Sequence, residues 1–268
     1  ILEAHSRVAK QVDKGYNEQL EFAGQQENPM LAHDYRKQGH RIDYQQELGV
    51  FVQPKLDGVR CLISFTDGNI TFKSRGGKFY NVPDHLKQEL EPIFEKSQDI
   101  VLDGELYIHG MYLQDIISCV KKPNKDTKNL ELHIFDIASL QGIGWWQRRS
   151  NLNIIFGAFD DMKYIKQVPD YSVANFETVK AYHDTFVSEG YEGVMIRQGF
   201  GEYQYNHRSP WLQKYKEFLD EEFEIVDVKE DKDGLGVPVC KLPDGNTFDP
   251  TYKASHSDRM RLLEEKDK

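Results

Sequence analysis

The chain has 268 residues, 39% of them hydrophobic and 29% charged, with a formal net charge of −10. That length and composition support one substantial core and a small second unit, and exclude wholesale disorder; no stretch approaches the roughly 20 apolar residues of a membrane span. Three widely spaced cysteines, Cys61, Cys119 and Cys240, form neither a CxxC zinc pair nor a disulfide framework, so buried thiols in a reducing compartment are expected.

Two helical stretches, Glu3 to Val12 and Asn17 to Phe22, are predicted in the first 48 residues, and Asn28-Pro29 is a turn signal. No separate N-terminal domain is visible in that segment, and Ile1, not a methionine, leaves a cleaved leader open. From residue 49 the pattern alternates. Val50 to Val52, Val59 to Phe65 and Ile70 to Lys73 read as strands, with Asp67-Gly68 as a hairpin turn. Leu86, Leu90, Ile93 and Phe94 share a face of a helix predicted over 83–95. Strands over 100–108 and 130–137 bracket a short helix over 113–120. Helices over 146–157 and 175–189 precede strands over 191–197 and 212–218. A second alternating run, with Phe223, Ile225 and Val228, opens after a boundary placed at 219–221, dividing the chain into residues 1–220 and 221–268.

Five short segments carry chemistry. Lys55-Leu56-Asp57-Gly58-Val59-Arg60 follows an apolar strand; a lysine acts as a nucleophile only as a free amine, which neighbouring cations or desolvation favour. Asp57 and Gly58 are expected to turn the chain sharply and return Arg60 to the same pocket. Asp103-Gly104-Glu105 closes an apolar strand, an expensive place for acids unless they meet a ligand, a metal or a buried partner. Phe135 beside Asp136 offers a ring to stack on a base, and Glu192 precedes the apolar run Val194-Met195-Ile196. Lys214 and Lys216 alternate, which points both ammonium groups the same way, either into water or onto a shared anion such as a phosphate. Each segment alone also reads as an exposed turn, a core ring or a solvated face. In this order they compose one site for a nucleotide.

The set resembles the covalent nucleotidyltransferases, and among them the ATP-dependent DNA ligases of compact viral and bacterial type. KLDGVR at 55–60, SRGGK at 74–78, DGE at 103–105, FD at 135–136, EGVMIR at 192–197 and KYK at 214–216 are similar to that family's motifs, and the likeness runs over about residues 28–230. It implies an α+β fold: an adenylation (nucleotidyltransferase, ATP-grasp-like) domain of antiparallel sheets flanked by helices, then a short β-rich OB-fold domain. It implies Lys55 as the adenylated residue and Gln53 as the reader of the adenine amino group. Arg60 corresponds to the arginine near the ribose and phosphate, and Arg75 to the one that reads the 5′-phosphate of a nick. Glu105 matches the ribose and metal-site acid, Phe135 the adenine-stacking ring, Glu192 the second metal-site carboxylate, and Lys214 and Lys216 the lysines on the AMP phosphate. Arg208 is a further candidate, and Arg148 and Arg149 look family-like without an assigned role.

ATP and Mg²⁺ (or Mn²⁺) are the implied cofactors and nicked duplex DNA the implied partner. A monomer is expected in the cytoplasm of a bacterium or an infected host, or in the nucleus of a eukaryote. An RNA ligase or mRNA-capping enzyme shares the KxDG lysine, and a binding module without catalysis would account for the net acidity. That acidity opposes DNA binding in total but not locally, since Lys73–Arg75–Lys78, Lys121–Lys122–Lys125–Lys128 and Arg148–Arg149 are basic groups. One departure stands out. The family's late basic motif is not recognisable, and Arg259-Met260-Arg261 sits in what reads as an exposed charged helix.

Overall fold

The structure, a computed structural model, describes residues 27–159, 161–216 and 222–266; the helices predicted before residue 27 lie outside the described residues. The chain divides into two compact units, residues 1–217 and 218–268.

The first unit is built on two five-stranded sheets. In chain order the strands are β1 (Leu31–Asp34), β2 (Val50–Lys55), β3 (Val59–Thr66), β4 (Asn69–Ser74), β5 (Leu102–Tyr107), β6 (Glu131–Ile137), β7 (Ile165–Gln167), β8 (Tyr171–Val173), β9 (Gly193–Gln198) and β10 (Arg208–Tyr215). One sheet runs β1-β10-β9-β2-β8 and the other β4-β3-β5-β6-β7. β2 and β3 are consecutive in the chain yet belong to different sheets. The KLDG segment is therefore the crossing from one sheet to the other, which places it between them.

Alternation decides what each face buries. In the second sheet Cys61, Ile63, Leu102, Leu106, Leu132 and Ile134 point to one side. There they pack against Leu86, Leu90, Ile93 and Phe94 of helix α2 (Asp84–Lys96). In the first sheet Val50, Val52, Val194 and Ile196 meet Val179 and Phe186 of helix α5 (Phe176–Ser188), whose first turn is capped by Asn175 accepting from the Thr178 N–H. The remaining helices of this unit are α1 (Tyr35–Gln38), α3 (Leu113–Lys121) and α4 (Trp145–Ala158). On the opposite faces Leu62 of β3 and Leu212 of β10 join Met30, Ala138 and Tyr203 in a third cluster that ties the sheets together.

Most ladders are antiparallel, as expected, but β1–β10 and β6–β7 are parallel. Strands β1, β7 and β8 went unpredicted. All three are sheet edges of three or four residues, too short to display an alternating pattern. β10 begins at Arg208, four residues before the predicted start, because Leu31 and Ala32 of β1 pair with Arg208 and Ser209.

The second unit pairs β11 (Ile225–Glu230), β12 (Gly236–Lys241) and β13 (Thr247–Phe248) antiparallel, with helix α6 (His256–Glu264). Among the described residues this is three strands, against the roughly five of an OB barrel. Arg259 donates to Asp231 at 2.6 Å and so is held within its own unit. No helix of the described residues is long and apolar enough to cross a membrane.

Candidate active site

A cavity of about 690 Å³ opens where the chain crosses between the sheets. Gln53, Lys55, Arg60, Arg75, Glu105, Phe135 and Lys214 all line it, as does Arg208. Glu192 and Lys216 join the group through Lys55: the Glu192 carboxylate accepts hydrogen bonds from the ammonium groups of both lysines. Residues separated by 137 positions are thereby brought into contact.

The corner itself depends on a glycine. A Cβ at Gly58 would lie 2.5 Å from the Leu106 carbonyl oxygen and 2.9 Å from Glu105 Cγ. The glycine expected to turn the chain is thus required by close approach of β5 and not by a left-handed backbone, since Gly58 is absent from the positive-φ residues. Its N–H donates to Glu105 Oε1 at 3.0 Å, which fixes that carboxyl against the wall.

The net acidity of the chain does not extend to this cavity. Seven cationic side chains (Lys55, Arg60, Arg75, Lys121, Arg197, Arg208 and Lys214) line it, against Glu105 and the carboxylates of Glu192, Asp103 and Asp136 that pair with three of them, so cations remain in excess and the local field favours an anion.

Residues 29–216 match the family model described as the ATP dependent DNA ligase domain. The chain belongs to that family. It is 32% identical over 240 residues to a DNA ligase of African swine fever virus, a match covering 82% of this chain and 55% of that protein. The chain spans about half the length of the curated relatives it matches. A solved Lig E DNA ligase superposes with a TM-score of 0.70 at 21% identity, over 88% of each chain. The Chlorella virus DNA ligase-adenylate does so with a TM-score of 0.56 at 19% identity, over 89% of each. At those identities the solved structures establish the fold.

Within this cavity the structure supplies partners that the sequence did not show. Lys214 lines the cavity, and its amine is pushed down by burial and by the nearby charges of Lys55, Lys216 and Arg208. Lys216 lies one residue past β10 and donates to Glu192, the carboxylate that also accepts from Lys55. The partner in contact with Lys55 is an anion, Glu192, and the cation Lys214 is close enough to feel its charge. Burial alone would raise the Glu192 carboxyl, but the hydrogen bonds from Lys216 and Lys55 outweigh it and hold that group below its ordinary value.

Asp103 proves to have the buried partner that its position required. Arg60 grips it with two hydrogen bonds of 3.0 and 2.6 Å, and Tyr203 donates a third at 2.6 Å. Burial opposes the Arg60 charge, yet Asp103 more than compensates and pushes its pKa above the ordinary value. Both members of the Arg148–Arg149 pair are engaged in ion pairs within the fold. Arg148 is fully buried against Asp136, and Arg149 donates to Asp170 at 2.5 Å.

Three residues of the site went unassigned in the sequence: Asp136, Arg148 and Arg197. Asp136 accepts from Arg148 at 2.7 and 3.2 Å and from Arg197 at 2.7 Å. Burial would raise its carboxyl, but the two guanidinium groups hold it below the usual carboxylate range. Arg197 also donates to Gln53, and it shares the ring of Phe135 with Arg60, their guanidinium carbons lying 5.5 and 5.4 Å from its centroid. A signal for Arg197 existed. In EGVMIR, period two puts Val194 and Ile196 in the core and Met195 and Arg197 on the cavity side.

Burial pushes the Glu105 carboxyl up to about 7, against the pull of Lys55 and Arg60. The folded state thus holds a proton that the unfolded chain releases near its ordinary value, so stability falls as pH rises from about 4.5 to about 7. Glu105→Gln removes that contribution. Chemical denaturation at pH 5 and pH 8 should show the variant losing less stability across the interval than the parent, by on the order of 1–3 kcal/mol. Equal losses would contradict the buried, protonated carboxyl.

Among the described residues no group of three or more His, Cys, Asp or Glu side chains is placed to hold a metal ion. This donor set fits Mg²⁺, which commonly binds through one or two carboxylates and substrate phosphates. Glu105 and Glu192 are the available carboxylates.

Proposed function

We propose that this chain is the catalytic part of an ATP-dependent DNA ligase that seals 5′-phosphate/3′-hydroxyl nicks in duplex DNA, with Lys55 as the nucleophile. The observation that carries the reading is the convergence of Lys55, Arg60, Glu105, Phe135 and Lys214 on one cavity. In this reading residues 1–220 are the adenylation domain and residues 221–268 belong to an OB-type unit.

The reaction has three phosphoryl transfers. The Lys55 amine forms a bond to the α-phosphorus of ATP and loses a proton, while the bond to pyrophosphate breaks. An oxygen of the nick's 5′-phosphate then attacks the phosphorus of the lysine-bound AMP; the phosphorus–nitrogen bond breaks and Lys55 regains its proton. The 3′-hydroxyl finally attacks the 5′-phosphate, its proton leaves, and AMP departs.

Each step crowds negative charge, so positioned cations lower the barriers. Lys214 faces the phosphates, Phe135 stacks on the base, and Glu105, fixed by Gly58, faces the ribose. Glu192 holds the Lys55 amine before reaction. Glu105 and Glu192 would hold a divalent ion, which would supply positive charge to the phosphates. Contacts to DNA would run along the sugar–phosphate backbone without sequence preference, made by a monomer. Three buried free cysteines accord with a reducing compartment, cytoplasmic or nuclear.

Sealing of a nicked DNA duplex with ATP, with NAD⁺, and with RNA ends in place of DNA tests substrate and cofactor together. Only the ATP and nicked-DNA combination should yield product. Sealing with NAD⁺ alone, or of RNA ends alone, would overturn the reading. Arg75, on the cavity wall, is assigned to the nick phosphate. Arg75→Ala should leave formation of the covalent AMP adduct within about threefold and slow its transfer to nicked DNA by about a hundredfold, as loss of a charge-assisted contact implies. Equal loss in both steps would remove Arg75 from that role.

A further inference from the structure

We infer that Tyr203, in the connection between β9 and β10, is a positioning residue that aims the Arg60 guanidinium by holding Asp103 from the other sheet. The inference rests on the nucleotide reading of the cavity. Tyr203 lies in none of the segments that carry the family resemblance, and it does not line the cavity.

Arg60 stands on β3 with two acids beside it on β5. Pairing sets Arg60 opposite Glu105 and Leu62 opposite Asp103, so period two puts both carboxylates on the Arg60 face of the sheet. Glu105 accepts from the Gly58 N–H, whereas the Arg60 fork closes on Asp103 at 3.0 and 2.6 Å. The pair alone does not set that choice. Arginine has a long stem with much rotamer freedom, and two joined side chains can swing as one.

Tyr203 supplies the third point. Its hydroxyl donates to Asp103 Oδ2 at 2.6 Å and accepts from the Met30 main-chain N–H at 3.2 Å. Among the described residues, Arg60 and Tyr203 are the donors to this fully buried carboxylate. Burial and the Asp103 charge push the Tyr203 phenol well above its ordinary value, so it remains a donor. The ring cannot follow a moving carboxylate. It is 1% exposed, packs with Leu62 and Leu212, meets the Tyr205 ring edge-on at 5.3 Å, and carries the Arg148 guanidinium at 5.7 Å.

Arg60 is thereby fixed on two sides. Nε and Nη2 lie on Asp103, and the guanidinium carbon is 5.4 Å from the Phe135 ring centroid. Nη1 makes no hydrogen bond among the described residues, and Arg60 lines the cavity. The fork therefore aims one nitrogen at an oxygen of the nucleotide, and Tyr203 sets the direction. Without the hydroxyl, Asp103 and Arg60 are free to shift together toward Glu105, whose charge Arg60 already feels. A group misplaced by about an ångström can cost up to about a hundredfold in rate.

Formation of the covalent AMP adduct from ATP, followed in a single turnover, tests the inference through a double-mutant cycle. Tyr203→Phe keeps the ring and the ion pair and removes one oxygen. It should slow adduct formation at saturating ATP by about tenfold. Arg60→Lys keeps a charge beside Asp103 but loses the fork. In that background Tyr203→Phe should change the rate by less than about twofold, because no aimed nitrogen is left to misplace. A merely structural tyrosine predicts equal losses with and without the arginine. Tyr203→4-aminophenylalanine retains a donor to Asp103 and weakens acceptance from Met30, so it should stay within about threefold of the parent.

Tenfold losses from Tyr203→Phe in both backgrounds would overturn the inference, as would a parent-like rate in the single variant. Should Tyr203→Phe not fold, the 4-amino variant decides alone: a parent-like rate supports the inference, and a tenfold loss assigns the hydroxyl to anchoring Met30 instead. A parent protein that takes up no label from ATP sinks the nucleotide reading. Any of the adverse patterns on a parent that does take it up sinks this inference alone.

Discussion

Lys55→Ala incubated with ATP and Mg²⁺ is expected to carry no covalent nucleotide after denaturing electrophoresis, a loss of at least about a thousandfold in adduct formation. Neither Lys214 nor Lys216 is placed as Lys55 is. Lys214 lines the same cavity, but it projects from the middle of the β9–β10 ladder opposite Met195, whereas Lys55 ends β2 at the crossing between the sheets. Lys216 is held by Glu192. An arginine at position 55 should be equally inert as a nucleophile, because a guanidinium does not give up its proton in proteins. Both variants keep a side chain or a small gap at a half-buried strand end and should fold. A preadenylated nick separates the chemistry further: Lys55→Ala should still join it, since the last step does not use the lysine adduct. Covalent label on Lys55→Ala, removed neither by acid nor by denaturant, would end the assignment.

Asp136→Ala should lower the stability of the first unit by about 3–5 kcal/mol, the usual consequence of stripping the counter-charge from buried ions. For a unit of this size that corresponds to a Tm roughly 10 °C lower. Asp136 is completely buried and serves both Arg148, also completely buried, and Arg197. Its loss leaves two buried guanidinium groups without their carboxylate hydrogen-bond acceptor. Replacing the three charged residues together by Ala, Met and Met should recover much of the loss, because the penalty belongs to the orphaned charges and not to the missing hydrogen bonds. Thermal denaturation of the single and triple variants measures both. A single variant within about 1 kcal/mol of the parent would show that solvent reaches the site.

The asymmetry between what could and could not be read in advance has physical causes. Helices of thirteen or so residues, such as Asp84–Lys96 and Phe176–Ser188, announce themselves through an apolar stripe that local sequence contains entirely. The edge strands Leu31–Asp34, Ile165–Gln167 and Tyr171–Val173 owe their form to the ladder beside them and carry no such stripe. In the site, Lys55, Glu105 and Phe135 were legible because reactive or ring-bearing side chains stand beside turns and strand ends. Arg148 was not, because nothing nearby in sequence reveals that a guanidinium in a helix will be fully buried; its partner Asp136 lies twelve residues away on another element. The acidity of the whole chain was equally uninformative about the site, since charge totals do not report which charges share a cavity.

The amino-acid sequence by itself determined the kind of chemistry available: a lysine after an apolar strand, acids at strand ends, two alternating lysines and a ring beside an acid, in an order that matches one enzyme family. Only the tertiary structure decided the partners. Lys55 meets Glu192, Arg60 meets Asp103, and Arg197 meets both Asp136 and Gln53, each across an interval that no local rule spans. Local propensities act over a turn of helix or a pair of strand residues. Ion pairs and amide orientations in a buried site are settled by whichever charges the two sheets bring within hydrogen-bond distance, once water has been removed.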